Sequence, residues 1–187
     1  NKIFEGNEVL IKKYSDIYPM LLNMKDLSLL LRGIREERGG LDFDIKEMKI
    51  IVDEKGTPIN VESRERGLSE MMIEDFMLAA NEAVAETLFH LKYPCCYRVH
   101  EEPNKERLAN VNNILKAIGE EIKNIDKGVK PKQLQRLMNN IKGTAAMDSV
   151  NTLLLRAMAK ARYDSMPLGH YGLAAQYYCH FTSPIRR

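Results

Sequence analysis

The 187-residue sequence is short of several things, and each shortage excludes a class of protein. It has three cysteines, Cys95, Cys96 and Cys179. That is too few, and an odd number, for a disulfide framework, so a reducing cytoplasmic setting is expected. No run of about 18 apolar residues is present, so no membrane span is expected. The opening NKIFEGNEVLIKK lacks the apolar core of a signal peptide. Charge of one sign is also scarce: 28 Lys and Arg face 26 Asp and Glu, a formal net charge of +2. So small an excess does not by itself argue for nucleic acid. Gly-rich phosphate loops, the GxSxG elbow and HExxH are missing. No cysteine pair has the two-residue gap of a zinc knuckle. His100-Glu101 resembles half of a deaminase signature, but no Pro-Cys-x-x-Cys follows.

What remains is ample for a core. Hydrophobic residues make up 44% of the chain, which excludes wholesale disorder. The pattern predicts an α+β fold, mostly helical with a small antiparallel β element. A helix is expected over 15–38, stopped by Gly39-Gly40. A hairpin follows, with apolar positions alternating from Phe43 to Val52, a turn at Glu54–Thr57 and a second strand from Pro58 to Val61. The strongest helix spans 68–92, rich in Met, Ala, Leu and Glu and ended by Pro94. A short strand is expected near Tyr97–Val99. Further helices are expected over 103–125, opened by Pro103 in the first turn, then 132–141 and 147–162. The aromatic stretch from His170 to Phe181 is ambiguous between strand and loop.

Three residues stand out physically. Thr182-Ser183-Pro184 announces a helix, with Ser as N-cap and Pro at the first helical position, yet three residues follow. A chain cut from a longer protein is expected, and Asn1 is not a natural initiator. On such a capped turn Arg186 would lie beside free N–H groups and the positive dipole end. It is either a solvated arginine or, with those amides, part of an anion site for a phosphate. Glu74 lies about 100° from the charged face Asp75, Glu82 and Glu86 of its helix, among Leu78, Asn81, Ala85 and Leu88. A carboxylate and an amide there must be paired to neighbours or must read a ligand. Phe43 is either a core residue of a half-buried strand or a stacking platform for a base.

The run His180-Phe181-Thr182-Ser183-Pro184-Ile185-Arg186-Arg187, preceded by His170-Tyr171-Gly172-Leu173, closely resembles the HFTSPIRRY-type signature of the ribonuclease II/ribonuclease R (RNB) family. Arg38-Gly39-Gly40-Leu41-Asp42-Phe43-Asp44 is similar to that family's RGxLDFD segment. Met72-Ile73-Glu74-Asp75-Phe76-Met77-Leu78-Ala79-Ala80-Asn81 is similar to its IEEFMxxAN helix, and Tyr97-Arg98-Val99-His100-Glu101-Glu102-Pro103 to its YRVHExP. The likeness spans essentially residues 1–187, with the ribonuclease R branch the closer one. It implies part of the catalytic domain of a processive, metal-dependent exoribonuclease. Such an enzyme removes nucleotides from RNA 3′ ends as 5′-monophosphates.

The resemblance also implies roles. Arg186 falls on the arginine that contacts the scissile phosphate. Glu74 falls on the glutamate that holds the 3′-terminal nucleotide. Phe43 falls on an aromatic that stacks the last bases. The family's D-x-D-D-type aspartate cluster and its flanking OB-type domains have no counterpart here, so the magnesium ligands are expected outside this chain. The partner implied is a single-stranded RNA 3′ end. The chain alone is expected to lack nuclease activity and to self-associate through surface its missing half would cover. Two other classes fit the residues: a non-catalytic RNA-binding relative without the aspartates, and a helical protein–protein adaptor.

Overall fold

The computed structural model describes residues 1–43, 47–64 and 66–182. A short helix, α1 (Glu8–Lys13), leads into α2 (Tyr18–Arg38), which begins one residue ahead of Pro19. It stops at Gly39, which has φ +102° and donates its N–H to Glu36 O. Only glycine takes that angle cheaply. A Cβ there would also stand 2.8 Å from the backbone nitrogen of Lys132. Gly39 therefore both ends α2 and lets it meet the helix that carries Lys132.

The expected hairpin forms from β1 (Glu47–Val52) and β2 (Pro58–Arg64), antiparallel, with Ile50 opposite Val61. Its turn is built by the Asp53 carboxylate, which accepts the N–H groups of Lys55 and Thr57. Phe43 lies ahead of β1 rather than within it.

Helix α3 (Leu68–His90) packs along α2, and here two of the three acids of the expected charged face, Asp75 and Glu82, turn toward α2 while Glu86 stays exposed. Arg32, Arg35 and Arg38 recur every three residues on α2 and meet acids of α3. Asp75 is 4% exposed and accepts from Arg32 at 2.6 Å and Ser28 Oγ at 2.8 Å, with Arg35 at 3.5 Å. Glu82 takes a two-pronged bond from Arg38 at 2.7 and 2.9 Å. A periodicity reading assigns charge to solvent, but these carboxylates have cations waiting on a neighbouring helix.

Two expected helices are shorter than their patterns. Helix α4 runs Lys105–Ala117, capped by Asn104, whose side chain accepts the Arg107 N–H. Pro103 precedes the cap. Gly119 at φ +80° ends the turn, and the Asn112 amide then binds the backbone of Ile122 in both directions. Helix α5 is Pro131–Asn140 and α6 is Met147–Ala157. Residues 162–164 leave the helical pattern because β4 (Arg162–Asp164) pairs with β3 (Tyr97–Val99). The competing partner lies more than sixty residues away, beyond the reach of a local pattern.

The main core gathers α4, α5 and α6 around Leu108, Leu115, Leu134 and Leu154, all at most 1% exposed. The ambiguous aromatic stretch is a 3₁₀ turn at Tyr171–Leu173 followed by bends and isolated bridges. That chain bridges Tyr97 at Cys179 and packs Ala175 and Tyr178 onto Leu78 of α3.

Candidate functional site

The strip Leu41–Phe43 is the hinge of the site. Its backbone is fixed where the Leu41 N–H donates to Gly172 O at 2.7 Å. Its successive side chains line two different cavities. Leu41 and Phe43 line an apolar cavity of about 970 Å³ bounded by α4, the end of α6 and the 170–173 turn. Asp42 lines a polar cavity of about 670 Å³ with Arg66, Gln135, Asn139 and Asn151. Phe43 is half-buried and packs against the main core.

The turn that holds this strip is itself held by two neutral histidines. His100 Nδ1 accepts the Gly172 N–H at 3.0 Å, and His170 Nδ1 accepts the Leu173 N–H at 3.3 Å. The two rings meet edge to face with centroids 5.0 Å apart. Burial pushes His170 down to about 3, with its neighbour His100 adding to the effect. Burial lowers His100 as well. Both must stay uncharged to accept those amide protons.

Glu74 is neither buried nor solitary. It is half-exposed on α3 and pairs with Arg66 at 3.2 Å, while the same guanidinium reaches Asp42 at 2.9 Å. One arginine thus ties Glu74 to the residue beside Phe43, bringing two of the three expected site residues into one neighbourhood. Arg66 carries no signal in the sequence, since its role depends on the fold placing Asp42 and Glu74 around it.

The third, Arg186, lies outside the described residues. The chain leading toward it is firmly placed as far as Thr182. His180 Nδ1 contacts Tyr163 Oη at 2.8 Å, and the Arg98 guanidinium covers the Tyr163 ring at 4.7 Å. Asn81 is completely buried. Its Oδ1 accepts the Thr182 N–H at 2.7 Å, and its Nδ2 faces Tyr178 Oη at 3.2 Å and Thr182 O at 3.4 Å. The amide flagged beside Glu74 by helical spacing is therefore paired to the chain itself.

Among the described residues no group of three His, Cys, Asp or Glu side chains could hold a metal ion, and the three cysteines are free. The described residues do not fit a magnesium site. Among the described residues no helix is long and apolar enough to cross a membrane.

Comparison with known proteins agrees with this geometry. The family model for the RNB domain matches residues 1–187. Ribonuclease R 1 of Lactococcus lactis is 43% identical over 187 residues, covering all of this chain and 23% of the relative. Ribonuclease R of Aquifex aeolicus is 42% identical over 182 residues, 97% of this chain and 26% of the relative. The chain thus spans about a quarter of the length of these relatives. Among solved structures, Mycoplasma genitalium RNase R in complex with ribose-methylated single-stranded RNA superposes with a TM-score of 0.87 at 33% identity. That match covers 98% of this chain and 29% of the other. Yeast Ssd1, described as a pseudonuclease, matches 66% of this chain and 16% of its own, with a TM-score of 0.56 at 26% identity. The fold, the site residues held in order along it and a family match over the full 187 residues lead to one conclusion: this chain belongs to the RNB domain family.

Proposed function

We propose that the chain is part of the catalytic domain of a processive 3′→5′ hydrolytic exoribonuclease of the ribonuclease R type, which converts RNA to 5′-mononucleotides. One observation carries this reading: the match to the RNB domain runs through residues 1–187, with the HFTSPIRR run tied to the IEDFMLAAN helix through Asn81. In this reading the substrate is a single-stranded RNA 3′ end and the protein is cytoplasmic. The structural likeness to an RNase R solved with single-stranded RNA supports the choice of ligand.

The proposed division of labour follows the chemistry of each side chain. Glu74 holds the 3′-terminal nucleotide, where a carboxylate can accept from the 2′-hydroxyl that separates RNA from DNA. Phe43 offers a ring face to a base. Arg186 neutralises charge growing on the phosphoryl oxygens of the transition state, which guanidinium geometry suits. Magnesium ligands belong to parts of the protein outside this chain.

The test is made in the full-length protein. Arg186→Ala should lower turnover by at least ~10²–10³-fold while RNA affinity changes little, because the lost interaction forms mainly in the transition state. Near-normal turnover removes Arg186 from the mechanism. The 187-residue chain alone should not degrade RNA, and robust magnesium-dependent degradation by it would defeat that part of the reading.

A second reading, an RNA-binding relative without catalysis, is favoured by the likeness to yeast Ssd1. The gene upstream of Asn1 separates the two: an aspartate cluster there supports the nuclease, and its absence supports the binder.

A further inference from the structure

We infer that the polar cavity beside Asp42 is a nucleobase site, which holds the amino-bearing edge of a base through the buried amide of Asn151. The base belongs either to a released mononucleotide or to a residue of bound RNA. The site stands on its own geometry and rests on the nuclease reading above only for the source of the ligand.

The cavity measures about 670 Å³, within the range of small-molecule sites. Helix α5 lines it with Gln135, Met138 and Asn139, and Lys142 follows just past the helix end, a row at three- and four-residue steps along one face. Helix α6 adds Met147 and Asn151, one turn apart. Two features mark this space as made for an occupant. Asn151 is 3% exposed, and its Oδ1 has no hydrogen-bond partner among the described residues. An acceptor buried in that state is costly to the fold, so its retention points to a donor brought from outside. Gly33 also lines the cavity, from the interior of α2, where glycine weakens a helix. A Cβ there would meet nothing within 4 Å, so packing does not require the glycine. Its effect is to widen the cavity wall.

The chemistry of the lining selects the ligand. Met71, Met138 and Met147 bring three thioethers, which pack favourably against aromatic rings. Gln135 spends its Nε2 on Glu36 O at 2.7 Å and Gly40 O at 3.2 Å, so what it offers a ligand is its Oε1, an acceptor. Asn151 Oδ1 is an acceptor too. Two amide oxygens beside soft apolar side chains suit a flat ring whose edge carries N–H donors, as the amino groups of adenine, cytosine and guanine do and the carbonyls of uracil do not. Charge argues the same way. The cations Arg66 and Lys142 face three acids, Glu36, Glu37 and Asp42, so the lining disfavours a buried phosphate and favours the base. Arg66 also pairs with Glu74 at 3.2 Å, which sets this cavity beside the nucleotide grip.

The test uses the full-length protein without magnesium, so that binding is read apart from turnover, and a Glu74→Ala background, which removes the nucleotide grip. Adenosine 5′-monophosphate should still bind in equilibrium dialysis, with uridine 5′-monophosphate weaker by ~3–10-fold, the worth of one hydrogen bond. Adding Asn151→Leu should erase that preference and leave the melting temperature of the ligand-free protein unchanged or higher, because an unpaired buried acceptor is removed. A ribose-methylated oligoadenylate measured alongside separates the two sources. Weakening of both ligands assigns the cavity to a base of bound RNA, and weakening of the mononucleotide alone assigns it to a released product. Unchanged affinity of both ligands in Asn151→Leu overturns the site, as does a lower melting temperature with the base preference intact. Should Asn151→Leu fail to fold, Gly33→Leu decides, since its side chain has open space to fill: binding should be lost, and retained binding overturns the site. A protein that binds the mononucleotide as expected yet degrades no RNA when magnesium is supplied keeps the site and loses the nuclease reading.

Discussion

The most telling single residue is His170. Its ring is half-buried beside His100 and works only as an uncharged acceptor for the Leu173 N–H. The unfolded chain titrates it near the ordinary value of about 6.5, and the folded chain near about 3. Between those values the unfolded state binds more protons, so stability rises with pH and is lost as pH falls from neutrality. His100 is lowered in the same direction. From pH 7 to pH 5 the loss from His170 alone should be on the order of 2 kcal/mol, read from urea unfolding. His170→Gln should flatten that dependence, and an unaltered slope would show that the ring is protonated in the folded state. Neither histidine could be singled out in this role from the sequence, because each is half-covered by chain about seventy residues away.

At the scale of elements, the α2–α3 pair shows how far periodicity reaches. The pattern located both helices and their ends, since Gly39 and Pro94 act locally. It assigned Asp75 to the charged face of its helix with no sign of a partner, and Asp75 is the buried centre of the contact between the two helices. Removing its charge strands two arginines in the interface. Asp75→Asn should cost about 3 kcal/mol or more, and Glu82→Gln, on the more open Arg38 pair, less than about 1 kcal/mol. Chemical denaturation of the two variants gives the comparison, and equal losses would show that burial of Asp75 has no energetic consequence. The overextended helices at 103–125 and 147–162 fail for a related reason. Helix propensity sees neighbours three and four residues away. It does not see the Asn112 loop-back to Ile122, nor β3 recruiting Arg162–Asp164.

At the scale of the molecule, apolar surface is distributed unevenly. The main core is filled, yet the hairpin presents Met48, Ile50 and Val61 to solvent, each more than half exposed, and α2 presents Leu30 and Ile34. Two strands alone rarely hold such surface against water. The 187-residue chain should therefore self-associate, with a sedimentation coefficient that climbs with concentration and falls back when Met48 and Ile50 are replaced by Ser. A monomer at every concentration would show that the hairpin face is not sticky.

The sequence by itself determined the fold class, the stops of α2 and α3, the order of the motifs and the family they resemble, because each depends on local residue chemistry. Tertiary structure alone decided that Arg66 joins Glu74 to Asp42, that Asp75 is interior, and that Asn81 spends its amide on Thr182 rather than on a ligand. Those outcomes depend on which groups meet across tens of residues, and a polar side chain's partner is set by that meeting, not by its neighbours in the chain.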